Sequence, residues 1–521
     1  MTAASGAAGP HRAPPQDSPP QDSPPQHSPS ATTSQPAVLV IFGATGDLTA
    51  RKLMPAVAAL EAGGELPEGF SVVGVGRDEI SDEAFAARML AAATSGDASD
   101  WAEVAHRARY VGGDYGDPET FRRLDVVLAE IDAERGSSGN RLYYLATPPS
   151  TFAMVIGRLG EHGLAEPGPG GSFARVVIEK PYGHDLASAV ELDRVVHAVF
   201  DESQVYRIDH YLGKETVQNL LALRFANAVF EPIWNRRYVD SVQITVAESL
   251  GVGHRAGFYE QAGALRDIVQ NHVMQVLALT VMEPPVRMDA QGIRDEKVKA
   301  LRAVDVLTAD EVATDVVRAR YEHGVVDGEE VPGYREEKAV DPRSQTETYV
   351  AMRLRVDNWR WAGVPFYIRT GKRLPRRVTE VSLLFRAAPH LPFAPHQVTG
   401  LGPNALVLRI EPDEGITLCF AAKVPGEAFD VRTVAMDFSY RRAFGAEPPD
   451  AYQRLLGDAL AGDPTLFIRS DEVHEAWRIV DPILETWRNE DVILGRYPAG
   501  TWGPKEADEL LRRDGRDWRI P

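Results

Sequence analysis

From Val38 onward the chain alternates short, wholly apolar runs with longer stretches of helical period. Val38-Leu-Val-Ile-Phe42 is a continuous apolar run, the pattern of a strand covered on both faces. Gly43-Ala-Thr-Gly46-Asp47-Leu48 follows, then a helical stretch over about 49–62. Phe70-Ser-Val-Val-Gly-Val75, Leu142-Tyr-Tyr-Leu-Ala146 and Val176-Val-Ile178 predict further buried strands, and Asp185 the N-cap of a helix to about Phe200. After Gln204 the period changes. An amphipathic helix over 216–227 turns Val217, Leu220, Leu221 and Phe225 toward a core. Ser241-Val-Gln-Ile-Thr-Val-Ala247 then alternates apolar and polar, as do 349–356, the region of Phe366 and Ile368, and 416–420. That alternation predicts a large, mainly antiparallel sheet with one solvated or subunit-facing side. One helix interrupts it, over about 264–282, with Leu265, Ile268, Val269, Val273 and Val276 as its apolar stripe and His272 within it.

The two periods divide the chain into an α/β unit, 37–204, and an α+β unit, 205–521, built on the large sheet with helices. Ahead of both, residues 1–36 contain nine prolines and the repeat Pro-Pro-Gln-Asp-Ser, twice in full and once ending Gln-His-Ser. Such a segment has too little apolar surface to offset chain entropy, so it is expected to be disordered. It carries no apolar h-region and no arginine-rich amphipathic pattern, which points to a cytoplasmic protein.

At 521 residues, two or three domains are expected. A net charge of -19 argues against non-specific nucleic-acid binding, and no apolar run approaches the length of a membrane span. The single cysteine, Cys419, has no partner for an internal disulfide and fits a reducing compartment; with no Cys/His cluster, no zinc site is expected.

Candidate chemistry gathers where strands end. The strand, glycine turn and helix at 38–62 form a dinucleotide-binding, Rossmann-like arrangement, although Ile41 stands where the first glycine of G-x-G-x-x-G would be. The next strand ends at Gly76-Arg77, and an arginine there suits the 2'-phosphate of NADP where NAD enzymes carry an acid. Two more strands end at Thr147-Pro148-Pro149 and Glu179-Lys180-Pro181, which places both ends near the cofactor, with a cis bond before Pro181 to aim Lys180. Arg207-Ile-Asp209-His210-Tyr211-Leu-Gly-Lys214-Glu215 packs two cations, an imidazole, a phenol and two carboxylates into nine residues. If a helix begins near Leu212, His210 and Lys214 share a face, an arrangement suited to a dianionic phosphate. A basic turn, Arg369-Thr-Gly-Lys372-Arg373, continues through Arg376 and Arg377. Taken alone, each has a plainer explanation: a solvated charged face, an ordinary turn, a core histidine.

The nine residues 207–215 resemble the signature of the glucose-6-phosphate dehydrogenase family, and so do Gly43-Ala-Thr-Gly-Asp-Leu48, Arg77, Glu179-Lys-Pro181 and Arg266-Asp-Ile-Val-Gln-Asn-His272, in the family's order. The resemblance implies oxidation of glucose 6-phosphate at C1 to the 6-phospho-1,5-lactone with NADP as hydride acceptor, and no metal. It implies His272 as general base and Asp209 as its partner. Lys180, Glu248, Asp267 and Lys372 would bind sugar hydroxyls; His210, Tyr211 and Lys214 would clamp the 6-phosphate; Arg377 would complete the substrate site. Gly43, Thr45, Gly46, Asp47, Leu48, Arg77, Pro148 and Lys180 would hold NADP, and Lys52 matches a family lysine near the active site. A homodimer or homotetramer is expected, with neither nucleic acid nor membrane as partner. Two rivals stand beside this reading: a dehydrogenase of the glucose-fructose oxidoreductase type, which also uses Glu-Lys-Pro, and a nicotinamide-binding sensor that has lost catalysis.

Overall fold

The computed structural model describes residues 35–92, 98–168, 170–394, 397–398, 401–426, 429–445, 449–489 and 492–521. The proline-rich stretch expected to be disordered lies, but for its last two residues, outside the described residues. Strands β1 (Val38–Phe42), β2 (Ser71–Gly76), β3 (Arg109–Gly112), β4 (Arg141–Leu145), β5 (Ala174–Ile178) and β6 (Val205–Arg207) form one sheet in the order β3-β2-β1-β4-β5-β6. All its pairings are parallel. Every residue of β1 is buried, as the unbroken apolar run requires of a strand with helices on both faces. The order reverses between β1 and β4, which opens a crevice beyond their carboxyl ends. The sheet reaches past Gln204, where the period change suggested a break: β6 pairs with β5 and carries the chain into the 207–215 signature.

The second sheet has nine strands. They are β7 (Val239–Ala247), β8 (Val316–Glu322), β11 (Tyr349–Arg355), β12 (Pro365–Gly371), β13 (Val378–Phe385), β14 (Ala405–Glu411), β15 (Gly415–Lys423), β16 (Val431–Ser439) and β17 (Gly495–Pro498); β9 (Gly324–Val326) and β10 (Glu329–Val331) form a separate hairpin. The order is β16-β15-β14-β13-β7-β12-β11-β8-β17, antiparallel except at β7–β12 and β8–β17. Alternate residues sort to the two faces: Val350, Met352 and Leu354 join the large core with Val269, Val273 and Leu277, while Tyr349 and Ala351 pack with Tyr321, Tyr497 and Trp518. Over the central strands this second face is covered rather than solvated. The C-terminal segment lies across it, with Gln243 Nε2 donating to Asp517 O (2.9 Å), Arg519 N to Gln243 Oε1 (2.8 Å) and Arg369 Nη2 to Arg519 O (2.8 Å). On β16, by contrast, Val434, Met436 and Phe438 are exposed.

Two expected α-helices begin in another form. Thr49–Leu53 is π-helical before the α-helix Met54–Ala62, and Leu265–Val273 is π-helical before Met274–Val281. The second follows Gly263, whose φ of +65° breaks the preceding helix and whose missing Cβ leaves room for Glu347. Glu347 Oε1 then accepts from Leu265 N (3.0 Å), meeting one of the N–H groups that a helix start leaves free. Helix Leu186–His197 is capped by Asp185, as expected.

Candidate active site

The parallel register sets four strand ends side by side. Phe42 pairs with Val75 and Leu145, and Leu145 with Ile178, so Gly43, Arg77, Pro148 and Lys180 all emerge on one rim. Gly43 has φ +86°, and a Cβ there would lie 2.5 Å from Ala146 O; only glycine lets this turn sit against the end of β4. Gly46 N closes the turn onto Gly43 O (2.9 Å), and Thr45, Asp47 and Leu48 lead into the helix. Asp47 pairs with Arg51 at the surface (2.8 Å), which engages its carboxylate. Arg77 is exposed and close enough to the glycine turn that both act on Tyr115: burial pushes that phenol up, while Gly43 N–H and the Arg77 charge pull it down.

Across the crevice lies a buried pair. His272 Nδ1 meets Asp209 Oδ1 at 2.5 Å, and both side chains are 1% exposed. The same Asp209 oxygen accepts from Tyr211 N (2.9 Å), which fixes the carboxyl group; an ionised carboxylate there takes Nδ1–H as its donor. His272 Nε2 faces Lys180 Nζ (3.0 Å), which also donates to Asp267 O (2.8 Å) and Asp267 Oδ1 (3.3 Å). Lys180 lies two residues past the end of β5, with the expected cis Lys180–Pro181 bond after it, and its side chain links the first sheet to the π-helical segment through Asp267. That segment explains how Asp267 and His272 share a side. Positions five apart on an α-helix diverge by about 140°; the i→i+5 turn of a π-helix realigns them.

Burial lowers His272 well below the ordinary histidine value, and the Lys180 charge adds to it, so the ring is neutral at neutral pH. His210 is lowered likewise by burial, with His272 and Lys180 contributing. Burial raises Asp209, opposed by His210 and the Tyr211 N–H. Burial also works against Asp267, but the Lys180 and Lys372 charges win and hold it at about 2.

The second sheet supplies the other wall. Ala247 pairs with Gly371 in the parallel β7–β12 ladder, so Glu248 and Lys372 leave adjacent strands together; Lys372 Nζ donates to Glu248 Oε2 (2.5 Å) and stands 4.0 Å from Asp267 Oδ2. Tyr211 stacks on His272 with centroids 4.2 Å apart, and Lys214 Nζ lies 3.8 Å from the Tyr211 ring centre. The helix expected over 216–227 forms at Glu215–Phe225, so the condition of a start near Leu212, which would have put His210 and Lys214 on one helical face, is not met. Two tight turns, Leu212 N to Asp209 O (3.0 Å) and Lys214 N to Tyr211 O (3.1 Å), bring His210 and Lys214 into electrostatic reach instead. Arg377 reaches the site through Glu411, which also pairs with Lys214.

The substrate-side residues expected from the sequence therefore line one wall-to-wall cluster. Arg207 is the signature residue that faces away: it is 2% exposed and holds Asp193 (2.7 Å) and Glu202 (2.8 Å), a buried network bracing β6. Lys52 pairs with Asp450 (2.9 Å) and lies 5.8 Å from the Tyr452 ring, which in turn stacks at 6.2 Å on His210. Sequence reasoning passed over Tyr452, Glu179 (accepting from Tyr144 Oη at 2.6 Å) and Glu411. Glu179 alone carried a signal, as the first letter of Glu-Lys-Pro. Donor atoms of Asp209, His210 and His272 lie within 4.8 Å of one another. With Asp209 and His272 engaged with each other and an ammonium at Nε2, the set is built as a proton-handling pair, not a cation cradle.

A doubly wound sheet with a glycine turn at its switch point, faced by a buried histidine–carboxylate pair and a ring of lysines, defines a nicotinamide-dependent dehydrogenase of a polyhydroxylated anion. Comparison with known proteins narrows this. Residues 40–219 match the glucose-6-phosphate dehydrogenase NAD binding domain, and 221–519 its C-terminal domain. The chain is 51% identical over 491 residues to glucose-6-phosphate 1-dehydrogenase 2 of Mycobacterium tuberculosis, covering 93% of this chain and 95% of that protein. It is 47% identical over 486 residues to the glucose-6-phosphate 1-dehydrogenase of Aggregatibacter actinomycetemcomitans, covering 93% and 97%. Among solved structures, a glucose-6-phosphate dehydrogenase in complex with its substrate glucose-6-phosphate superposes with TM-score 0.85 at 34% identity, over 94% of this chain and 99% of that one. The Mycobacterium avium glucose-6-phosphate 1-dehydrogenase gives 0.78 at 38%, over 93% and 99%. The chain belongs to the glucose-6-phosphate dehydrogenase family. Neither rival reading is needed.

Proposed function

We propose that this protein is the NADP-dependent enzyme that opens the oxidative pentose phosphate route, and that His272 is its general base. The reaction converts glucose 6-phosphate to 6-phospho-D-glucono-1,5-lactone. One observation supports the assignment of the base: His272 directs Nδ1 at Asp209 (2.5 Å) and Nε2 at Lys180 (3.0 Å). Nε2 takes the proton from the sugar's O1, and Asp209 stabilises the imidazolium so formed. Lys180, which faces Nε2 in this structure, would yield it to the O1 hydroxyl while remaining bound to Asp267. Glu248, Asp267 and Lys372 orient the remaining hydroxyls, so that C1 and the nicotinamide face one another.

The rim fits a dinucleotide phosphate. Gly43, Thr45, Gly46, Asp47 and Leu48 would hold the pyrophosphate with backbone N–H groups at the helix start, Pro148 and Lys180 would flank the nicotinamide, and Arg77 would meet the 2'-phosphate. When bound, NADP supplies the hydride acceptor. His210, Tyr211, Lys214 and Arg377 would hold the 6-phosphate of the substrate.

The test is turnover by His272→Asn. NADP reduction with glucose 6-phosphate is expected to fall by about 10³-fold or more, with substrate binding retained by calorimetry; near-normal turnover would remove His272 as base. We further infer a homodimer or homotetramer. The exposed apolar row Val434, Met436 and Phe438 on edge strand β16 supports this, and light scattering of the purified protein would test it. No described helix is long and apolar enough to cross a membrane. The lone, partly buried Cys419 suits a cytoplasmic setting, which fractionation would test.

A further inference from the structure

Lys214 and Arg377, the cations assigned above to the 6-phosphate, are not waiting free. Both bind one carboxylate, Glu411, at the end of β14. Lys214 Nζ contacts Glu411 Oε1, while Arg377 donates to Glu411 Oε2 from Nη2 (2.7 Å) and Nε (3.1 Å). The Lys214 and Glu411 side chains are only 12% and 17% exposed, but Arg377 is 64% exposed and lies on a surface turn. The surroundings are acidic rather than basic: Glu414 and Glu215 act on the same lysine's neighbourhood. Burial raises Glu414, and the Lys214 charge that would lower it is set against Glu411 and Glu215. Burial likewise lowers Lys214, and Glu411 opposes that shift. Two cations thus stand among three carboxylates, with one carboxylate in the seat between them.

We propose that Glu411 is an internal anion that occupies the phosphate clamp of the substrate-free enzyme and is displaced by the substrate's 6-phosphate. The idea rests on the reading of Lys214 and Arg377 as phosphate ligands given under Proposed function. Its physical content is a competition. A carboxylate holding two cations by charge-assisted hydrogen bonds neutralises them until a better ligand arrives. A phosphate dianion carries more charge and three acceptor oxygens, so it wins where a monoanion or a neutral sugar does not. Glu411 then loses both partners and becomes a like charge beside the phosphate. It is a specificity-setting residue: it weakens the clamp for every anion and leaves only dianions able to open it. Arg377, long and exposed, is the partner free to swing. Lys214, stacked on Tyr211 with its ring centre 3.8 Å away, stays.

The experiment measures KM for glucose 6-phosphate and Ki for inorganic phosphate as a competitive inhibitor in the intact enzyme, for the wild type, Glu411→Gln, Glu411→Asp and Lys214→Ala. Removing the internal charge in Glu411→Gln should lower both constants by about tenfold, with KM for NADP unmoved and kcat changing less than KM. Glu411→Asp keeps the charge and should stay nearer the wild type than Glu411→Gln, which separates charge from shape. Melting temperatures screen each variant for folding, and Glu411→Ala, which also removes the charge and should likewise lower both constants, serves if Glu411→Gln is unstable. A KM that rises in Glu411→Gln would overturn the proposal and make Glu411 an organiser of Lys214. A KM that falls without a parallel fall in the phosphate Ki would also overturn it. The underlying reading has its own marker: if Lys214→Ala leaves KM for glucose 6-phosphate unchanged, the clamp itself has been misassigned and the competition falls with it.

Discussion

Replacing Asp209 by asparagine isolates the electrostatic half of the catalytic pair. Asp209 Oδ1 accepts from both His272 Nδ1 (2.5 Å) and Tyr211 N (2.9 Å), so the amide oxygen introduced by Asp209→Asn is held in the same place and the imidazole keeps its orientation. What is lost is charge. When Nε2 takes the substrate's proton, the imidazolium forms in a fully buried site beside a neutral amide, so a buried charge is left without its partner. Breaking such a pair costs about 3–5 kcal/mol, and at 1.36 kcal/mol per decade that is about 10²–10⁴ in kcat/KM. Stability should move little. Burial already raises the Asp209 pKa, which means that the ionised form is disfavoured in the folded protein and its removal relieves a cost. Against that relief, Asp209 Oδ2 has no hydrogen-bond partner among the described residues, so the new NH₂ group takes a place without an acceptor, at about 1–3 kcal/mol. Initial rates with glucose 6-phosphate and NADP, beside a thermal melt, decide the matter. A variant within tenfold of wild-type activity would refute the role given to the Asp209 charge. A loss of activity that merely tracks a large loss of melting temperature would refute it as well.

Further predictions concern the base, the rim and the helix. Because burial and Lys180 depress His272, the protonation that inactivates it occurs below its ordinary value; the acid limb of kcat/KM should fall below pH 6.5, and Lys180→Gln should shift that limb upward. Arg77→Ala should lower the preference for NADP over NAD by about tenfold or more, read from the ratio of the two kcat/KM values; an unchanged ratio places the 2'-phosphate elsewhere. Gly263→Ala would set a Cβ 2.3 Å from Glu347 Oε1 at a φ of +65°. It should cost about 1–3 kcal/mol of stability by denaturant titration, and lower kcat by disturbing the segment that aligns Asp267 with His272.

Much of this was legible in the chain because the information was local. The unbroken run 38–42 announces a strand buried on both faces, and the alternation in 241–247 a strand with two environments. The nine residues 207–215 mark the site, since Asp209, His210, Tyr211 and Lys214 reach it from one turn. What escaped was set by distant partners. Glu411 lies 197 positions from Lys214 and has no motif around it, so nothing near it in sequence betrays its role. The π-helical turns at 49–53 and 265–273 leave the apolar stripe of an α-helix intact, because the stripe records which side is buried and not how many residues complete a turn. The outer face of the large sheet reads as open because the segment that covers it comes some 276 residues after the strand it covers.

That last separation governs how the protein is made. Strand β7 is synthesised early, yet Gln243 finds its partners only in Asp517 and Arg519, and Arg369 closes onto Arg519 as well. Strand β17 likewise must be present before β8 acquires its edge. During translation the α/β unit has all six of its strands once Arg207 has emerged, whereas the central strands of the second unit carry Gln243, Arg369 and Glu380 uncovered until Arg519 has been made. The α/β unit also binds the helices Ala451–Ala461 and Ser470–Asn489, through Arg175 Nη1 and Ala459 O (2.8 Å) and through Tyr182 O and Trp477 Nε1 (3.0 Å). A chain that reaches only to some point between 250 and 450 therefore holds all six strands of the first sheet without those helices, beside a second sheet that is still uncovered. This interval is where the growing chain has most need of a chaperone.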